Sequence, residues 1–536
     1  MRTEEQFAAW EAIQRFVAQA KRPVAFEPGE EPMPLVMGSY EIRLDGTRLL
    51  FQVWTTGRNL VRRVTAVASE KAGQLDLTIE RFGKRTGMLQ LLDVARPAAA
   101  QKTKRAGRLA FREHFRRFLT RQFPTWKVGE LSCEADLEHS LSPVYPRAFL
   151  RKGSTGWAAL GAATASDADH ALTFGLIWLD YLRRREAKIA VEGLAIFLPE
   201  GHEKATCHRI RHLNLEAAKY KAFVHADGWE MPVDVADSGN IDTHLPDRAV
   251  RLWVPDWVRA LGGEMVDTAG EVSLRVRGLE FARWTGSELR VGIDSKRVVT
   301  ESGASEIRSL AEEIGRMRDG SAGDHRSLLW SACPERWLES RIRRDLPAID
   351  AGLTGEVYGQ APTFAAGERG VLDLLAAGSD GRLTVLELKA SEDIHLPLQA
   401  LDYWARVKWH LERGEFGMKG YFPGQRIGRL SPRILLVAPA LHFHPTTETI
   451  LRYVTSDAEV ERIGLAATWR SELKVVFRAR GCEPAGCEDK SEEKHEGSSG
   501  TGAGSRRSGA SEPRTGSGRG AEAIHGPVVC GNAPGV

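Results

Sequence analysis

The chain opens with a helical rhythm. Phe7, Trp10, Ile13 and Phe16/Val17 repeat at three- and four-residue spacing behind a Thr3/Gln6 capping-box pair, predicting a helix over Thr3–Ala20. From Leu35 to Asp93 the period shortens to two. Short apolar alternations are broken at Asp45-Gly46, Gly57, Gly73 and Gly83, which predicts a small antiparallel sheet with turns at those glycines. The helical period returns after Val94, where Phe111, Phe115, Phe118 and Leu119 share one side of an amphipathic helix. Between Trp126 and Met231 the pattern predicts strands, a helix over Asp167–Arg185, a strand over Ile189–Leu198 and a helix over Thr206–Ala218. Strands follow over 250–299, then a helix over Ser305–Arg318 with Ile307, Leu310, Ile314 and Met317 spaced for burial. The turn-rich Asp319–Asp324 reads as a linker.

The 536 residues predict several domains of an α/β multidomain protein rather than one core. We divide them into an N-terminal helix plus β-rich domain (1–95), an α/β domain (96–240) and a connecting region with linker (241–325). A C-terminal α/β domain (326–480) and a tail (481–536) complete the chain. The tail holds 13 glycines in 56 residues and almost nothing apolar, so it is expected to be disordered. With 74 Lys+Arg against 71 Asp+Glu, overall charge points to no polyanionic partner, and any basic surface must be local. One such stretch is Val94–Gln122, with nine Lys/Arg and the single acid Glu113. The longest largely apolar run, Ala171–Leu179, is too short to span a bilayer, and the first residues lack signal-peptide character. Six cysteines do not form a disulfide framework. The expected location is cytoplasmic.

Specific chemistry appears at Val371–Lys389, where two alternating runs flank Ser379-Asp380-Gly381. That triplet suits a three-residue hairpin loop with the glycine left-handed. The loop pairs Gly378 with Arg382, which sets Asp373 opposite Glu387. Val371, Asp373, Glu387 and Lys389 then share one face, and Leu372, Leu374, Leu386 and Leu388 form the opposite, core face. Two carboxylates that close can reach one cation, and hard oxygen ligands suit Mg²⁺ or Mn²⁺. Lys389 lies where it can orient an attacking water.

This constellation resembles the PD-(D/E)XK nuclease superfamily, with Asp373 and Glu387-Leu388-Lys389 as the motif and Leu372 in place of the usual preceding proline. The resemblance spans about 334–480 and implies a restriction-endonuclease-like mixed sheet flanked by helices. Upstream, Pro334–Asp345 is a predicted helix carrying Glu335 and Glu339, and the resemblance makes Glu339 an additional site acid. Downstream, Gln399 and Tyr403 lie four apart on a predicted helix, similar to the signature of NucS-type endonucleases, and would support the site. The Leu388 carbonyl is implied as a third protein ligand beside Asp373 and Glu387. The ordering continues through a strand at Arg433–Ala438, a helix at Thr446–Val454 and strands near Glu461–Thr468 and Leu473–Phe477.

The expected function is metal-dependent hydrolysis of DNA phosphodiester bonds by an endonuclease, in repair or defence. Catalysis would fall to Asp373, Glu387, Lys389 and Glu339. Phosphate contacts are expected from Arg341, Arg343, Arg344, Arg406 and Lys408 and from the arm Arg96–Arg121. The partner is DNA, a homodimer is possible, and no membrane is involved. The alternative is a non-catalytic DNA-binding or assembly protein that keeps a nuclease-like fold.

The middle segment repeats the same order: a helix over Gly107–Phe123, a strand pair over 148–163, a helix with Leu179-Asp180-Tyr181 and a strand over Val191–Leu198. It contains no acid from Ala148 to Ala163. The hypothesis is a degenerate, inactive nuclease-like copy. His202, Cys207, His208 and His212 have partial zinc-like spacing but lack a second ligand pair, and are read as ordinary histidines and cysteine. No phosphate-binding loop or serine elbow is present.

Overall fold

The computed structural model describes residues 2–481, except 29, 31, 46–47, 56–58, 82–84, 227, 237–242, 249–251, 269, 294–295 and 366–367. The turns expected at Gly46, Gly57 and Gly83, Cys482 and Cys487, and essentially all of the expected disordered tail lie outside the described residues. The chain is α/β, with four sheets and twelve α-helices among the described residues. No described helix is long and apolar enough to cross a membrane. Two compact units emerge. One contains 1–250, 351–464 and 476–482, and the other contains 251–350 and 465–475.

The first unit begins with α1 (Arg2–Gln19), which lays Ala9, Ile13 and Phe16 on a seven-stranded antiparallel sheet. Its strands are β1 (Pro23–Phe26), β2 (Met33–Pro34), β3 (Tyr40–Asp45), β4 (Arg48–Trp54), β5 (Asn59–Lys71), β6 (Gln74–Arg81) and β7 (Arg85–Asp93), in the order β2-β1-β7-β6-β5-β4-β3. The period-two alternation is visible as burial: Leu49, Phe51 and Val53 of β4 are inside and their neighbours are not.

Helix α2 (Pro97–Gln122) is twice as long as its amphipathic second half suggests, and starts with proline at its first turn. It leads into a six-stranded mixed sheet. The elements are β8 (Lys127–Ser132), β9 (Arg147–Lys152), β10 (Thr155–Gly161), α3 (Ala165–Ala168), α4 (Ala171–Arg185), β11 (Ala190–Pro199), α5 (Lys204–Ile210), β12 (Lys219–Ala226) and β13 (Trp229–Val233). The single helix expected over Asp167–Arg185 is therefore two. The helix expected over Thr206–Ala218 stops at Ile210, and beyond it the Asn214 carboxamide oxygen accepts from the Glu216 and Ala217 amides in a turn.

The second unit holds α6 (Asp256–Arg259), a five-stranded antiparallel sheet of β14 (Glu264–Thr268), β15 (Glu271–Val276), β16 (Leu279–Trp284), β17 (Leu289–Val291) and β18 (Arg297–Val299), and then α7 (Ala304–Met317), α8 (Leu328–Ser331) and α9 (Pro334–Arg344). Ile307, Ala311 and Ile314 of α7 pack on Leu274, Phe281 and Val291 of the sheet. The Asp319–Asp324 stretch is a turn within this unit, held by the Arg277–Asp319 ion pair at 2.8 Å.

The remaining elements of the first unit are β19 (Leu353–Ala365), β20 (Glu368–Gly378), β21 (Leu383–Leu388), α10 (Leu396–Glu412), α11 (Glu415–Met418), β22 (Arg433–Pro439), α12 (Thr447–Leu451), β23 (Glu459–Leu465) and β24 (Val475–Gly481). They form a six-stranded sheet in sequential order, β19 through β24. The sheet of β8–β13 has the same sequential order. In both, the first two pairings are antiparallel and the third is parallel, with a long helix making the crossover. The two α/β halves share one core: Leu176 and Leu179 of α4 cluster with Leu398, Leu401 and Trp404 of α10. A bridge between Leu213 and Val454 joins them, with Asn214 N–H on Tyr453 O and Thr455 N–H on His212 O.

Candidate active site on the β20–β21 hairpin

The hairpin closes as its loop requires. Gly378 N–H donates to Arg382 O at 2.8 Å, Gly381 N–H donates back to Gly378 O, and Gly381 has φ +80°. Pairing then runs Ala377↔Leu383, Ala376↔Thr384, Leu375↔Val385 and Leu374↔Leu386. One step further out lie Asp373 and Glu387. The Leu388 amide, instead of continuing the ladder, donates to Asp373 Oδ2 at 2.9 Å and fixes that carboxylate against the end of β21.

The charged side chains converge. Lys389 Nζ stands 3.7 Å from Glu387 Oε1 and 3.3 Å from Asp393 Oδ2. Burial, reinforced by the negative charge of Asp373, raises the Glu387 carboxyl well above its ordinary value, against the pull of Lys389. Burial opposes the charge on Lys389, but Glu387, Asp393 and Asp373 outweigh it and raise the ammonium's pKa. Burial, reinforced by the negative charges of Glu387 and Asp373, raises the pKa of the Tyr403 phenol. Glu387 Oε2 and Gln399 Oε1 are both buried without a hydrogen-bond partner.

The surroundings differ from expectation in one respect. The face carrying the acids is not open along the hairpin, because Leu375, Ala377, Leu383 and Val385 on that face pack against Val407 of α10, Phe416 and Phe422. Leu374, Leu386 and Leu388 are buried as well, so both faces of β21 are covered. The reason is the parallel neighbour β22 and the crossover helix α10, which place the hairpin in the middle of a layered sheet. Glu387 is only 3% exposed. Asp373 and Lys389, each partly exposed, form the mouth of the site.

Several expected residues are engaged in contacts of their own. Glu339 is on α9 in the second unit, buried, with its carboxylate 3.0 Å from Arg343 Nε and 3.6 Å from Arg275 Nη1. Arg341 donates to Ser471 O, and Arg344 is exposed. Arg406 is 4% exposed, so its guanidinium is not a surface phosphate contact. It follows Tyr403 by one helical turn, and burial lowers the pKa of its guanidinium against the opposing charge of Asp402. Lys408 is held by Asp457 at 2.5 Å and Glu412 at 3.5 Å. On α2, Arg121 is paired with Glu230, and Arg112 and Arg116 with Glu113. Asp393 is a residue that sequence reasoning missed; it lies in the irregular connection between β21 and α10, where no periodicity marks it.

No group of three or more His, Cys, Asp or Glu side chains is placed to hold a metal among the described residues. Asp373 and Glu387 supply two carboxylates, and the third ligand implied by the resemblance is a backbone carbonyl. The donor chemistry suits a hard divalent cation: clustered carboxylate oxygens, one of them buried without a partner, and a carboxyl whose negative form is penalised until positive charge arrives. His208 and His212 meet edge to face with ring centroids 4.9 Å apart. A scan of the chain against protein-family models finds no match, and neither does a search of curated proteins.

Proposed function

We propose that the protein is a metal-dependent nuclease that hydrolyses DNA phosphodiester bonds at the Asp373–Glu387–Lys389 site, on a restriction-endonuclease-like sheet formed by β19–β24. The observation that carries this reading is the meeting of two strand carboxylates and one lysine at the end of a hairpin, with Glu387 Oε2 left unpartnered. A purely structural Glu–Lys pair has no use for a second carboxylate that raises its pKa.

Asp373 and Glu387 would hold Mg²⁺ or Mn²⁺, with the Leu388 carbonyl as the backbone ligand. When bound, the cation would supply charge neutralisation at the phosphoryl group and lower the pKa of an attacking water. The chain's own residues do the rest. The Leu388 amide keeps Asp373 in one rotamer. Lys389, drawn between Glu387 and Asp393, remains an ammonium that donates hydrogen bonds to water or to a phosphate oxygen. Gln399 Oε1 can accept a hydrogen bond from that water, and Tyr403 walls the site on the α10 side.

The test is direct. Single-stranded, duplex and branched DNA are incubated with Mg²⁺ or Mn²⁺ beside Asp373→Asn and Lys389→Ala. Metal-dependent cleavage by the wild type, lost in both variants, is the expected result. A folded wild type that binds DNA and leaves every substrate intact would instead establish the non-catalytic binding reading.

A further inference from the structure

An open cleft of about 590 Å³ lies on the first α/β half, away from the β20–β21 hairpin, and is lined by Lys127, Glu130, Phe149, Arg151, Arg185 and Glu186 among others. Its wall is β8, the edge strand of the sheet, with β9 beside it. Lys127 pairs with Arg151 across this ladder and Glu130 pairs with Phe149, because a bulge between Val128 and Glu130 shifts the register. The bulge is what brings Lys127 and Glu130, three residues apart, to one face. Phe149 on that face is buried in the core under α4, so the cleft opens where α4 ends, at Arg185 and Glu186.

Both acids of the cleft are taken by one cation. Arg185 stands 2.8 Å from Glu130 and 2.9 Å from Glu186. Lys127 and Arg151 are exposed, and among the described residues no carboxylate pairs with either; Arg151 only turns its Nε to Gly153 O at 3.1 Å. Like charges directly opposite on neighbouring strands repel, so this pair costs stability and is not kept for the sheet's sake. Helix α4 links the cleft to the candidate active site. At its other end the His170 ring stacks on His395 at 4.0 Å, and His395 N–H donates to Asp393, the partner of Lys389. The 15 residues of α4 between them span about 22 Å.

We infer that this cleft holds the phosphodiester backbone of the nucleic-acid strand at a distance from the bond that is cut, with Lys127 and Arg151 each taking a phosphate. The inference rests on the nuclease reading and names a second place where its substrate is gripped. Two long cations that start about 5 Å apart and repel each other diverge, which suits successive phosphates of one strand better than a single compact anion. Such contacts position the strand and carry no sequence information.

Binding of a fluorescent single-stranded oligothymidylate to the full-length protein is followed by anisotropy in EDTA over a range of salt concentrations. Lys127→Gln and Arg151→Gln should each weaken binding about tenfold and lower the slope of log affinity against log salt by about 0.7, the share of one phosphate. Arg151→Lys should keep the wild-type slope. Lys152→Gln should change neither, since Lys152 faces the other side of the sheet and donates to Thr125 Oγ1 at 3.2 Å. The melting temperature of Lys127→Gln should match or exceed that of the wild type, because a like-charge opposition is gone. Folded Lys127→Gln and Arg151→Gln with unchanged affinity and slope, an equal loss in Lys152→Gln, or a wild type that does not bind overturns the inference. So does inorganic phosphate that displaces the oligonucleotide at matched phosphate concentration, which would mark a pocket for the free ion. No metal is present, so the two readings fail separately. Variants that lose binding in a protein that cuts nothing keep the cleft and reject the catalytic reading, and metal-dependent cleavage with binding unmoved by either variant does the reverse.

Discussion

Arg209 of α5 closes a two-pronged ion pair on Asp402 of α10, with Nη2 2.7 Å from Oδ2 and Nε 3.0 Å from Oδ1. Both side chains are nearly buried, at 11% and 12% exposure, and they join the two α/β halves. The reciprocal contact runs from Arg452, which follows α12, to Asp180 of α4, and at 3.9 Å it is looser. Removing one partner of a buried pair leaves the other uncompensated.

Asp402→Asn is therefore expected to destabilise the first unit by about 3–5 kcal/mol. The double variant Arg209→Met/Asp402→Leu should lose less than the sum of its single variants, because neither charge is left stranded. Urea unfolding of the four proteins measures this.

Asp393 acts on Lys389 from the next turn of chain. Asp393→Asn should preserve folding and DNA binding but lower single-turnover cleavage by about 10–100-fold, by loosening the lysine. Lys389→Ala should lower it by about 10²–10⁴-fold, the range of a lost proton-handling group. The Asp393→Asn pH–rate profile should shift while Lys389→Ala loses its lysine-dependent limb.

Acid should loosen the contact between the halves. Burial, with His212 beside it, pushes His208 down to about 4, and burial with His170 beside it pushes His395 down to about 4. An unfolded histidine protonates near 6.5, so the folded neutral forms stabilise the protein fully above that pH. That contribution is lost as pH falls from 6.5 through about 4. Melting temperatures between pH 7.5 and 4 should drop for the wild type, and drop less steeply for His395→Gln.

Gly381 holds the hairpin register. It has φ +80°, and a Cβ there would strike Arg426 O. Gly381→Ala should destabilise by about 1–3 kcal/mol and depress cleavage by disturbing the Asp373–Glu387 pairing. Thermal melts and the cleavage assay report the two effects separately.

The hairpin, its turn and its register were legible because Ser379-Asp380-Gly381 and the strict alternation around it leave one pairing. The coverage of both faces was written in the same residues, since Leu374 to Ala377 and Leu383 to Leu386 include only one polar side chain, Thr384. That signal was outweighed by the alternation of charge at the strand ends. The inward turn of Arg406 could not be read, because α10 packs on its own sheet and on α5, and this two-sided burial depends on a partner nearly two hundred residues earlier. The early stop of α5 has the same origin: residues 212–214 leave the helix to pair with 453–455. The repeated order of elements in the middle segment matches in strand order and in the first three pairings.

The core that α4 and α10 build together also constrains which parts of the chain can be dispensed with. Leu176, Leu179 and Leu182 would face water if residues 351–464 were cut away, and Leu398, Leu401 and Trp404 would do so if 96–240 were removed. Each half therefore completes the core of the other, and the half whose strand pair over 148–163 lacks acids still supplies packing surface to the one that carries Asp373 and Glu387.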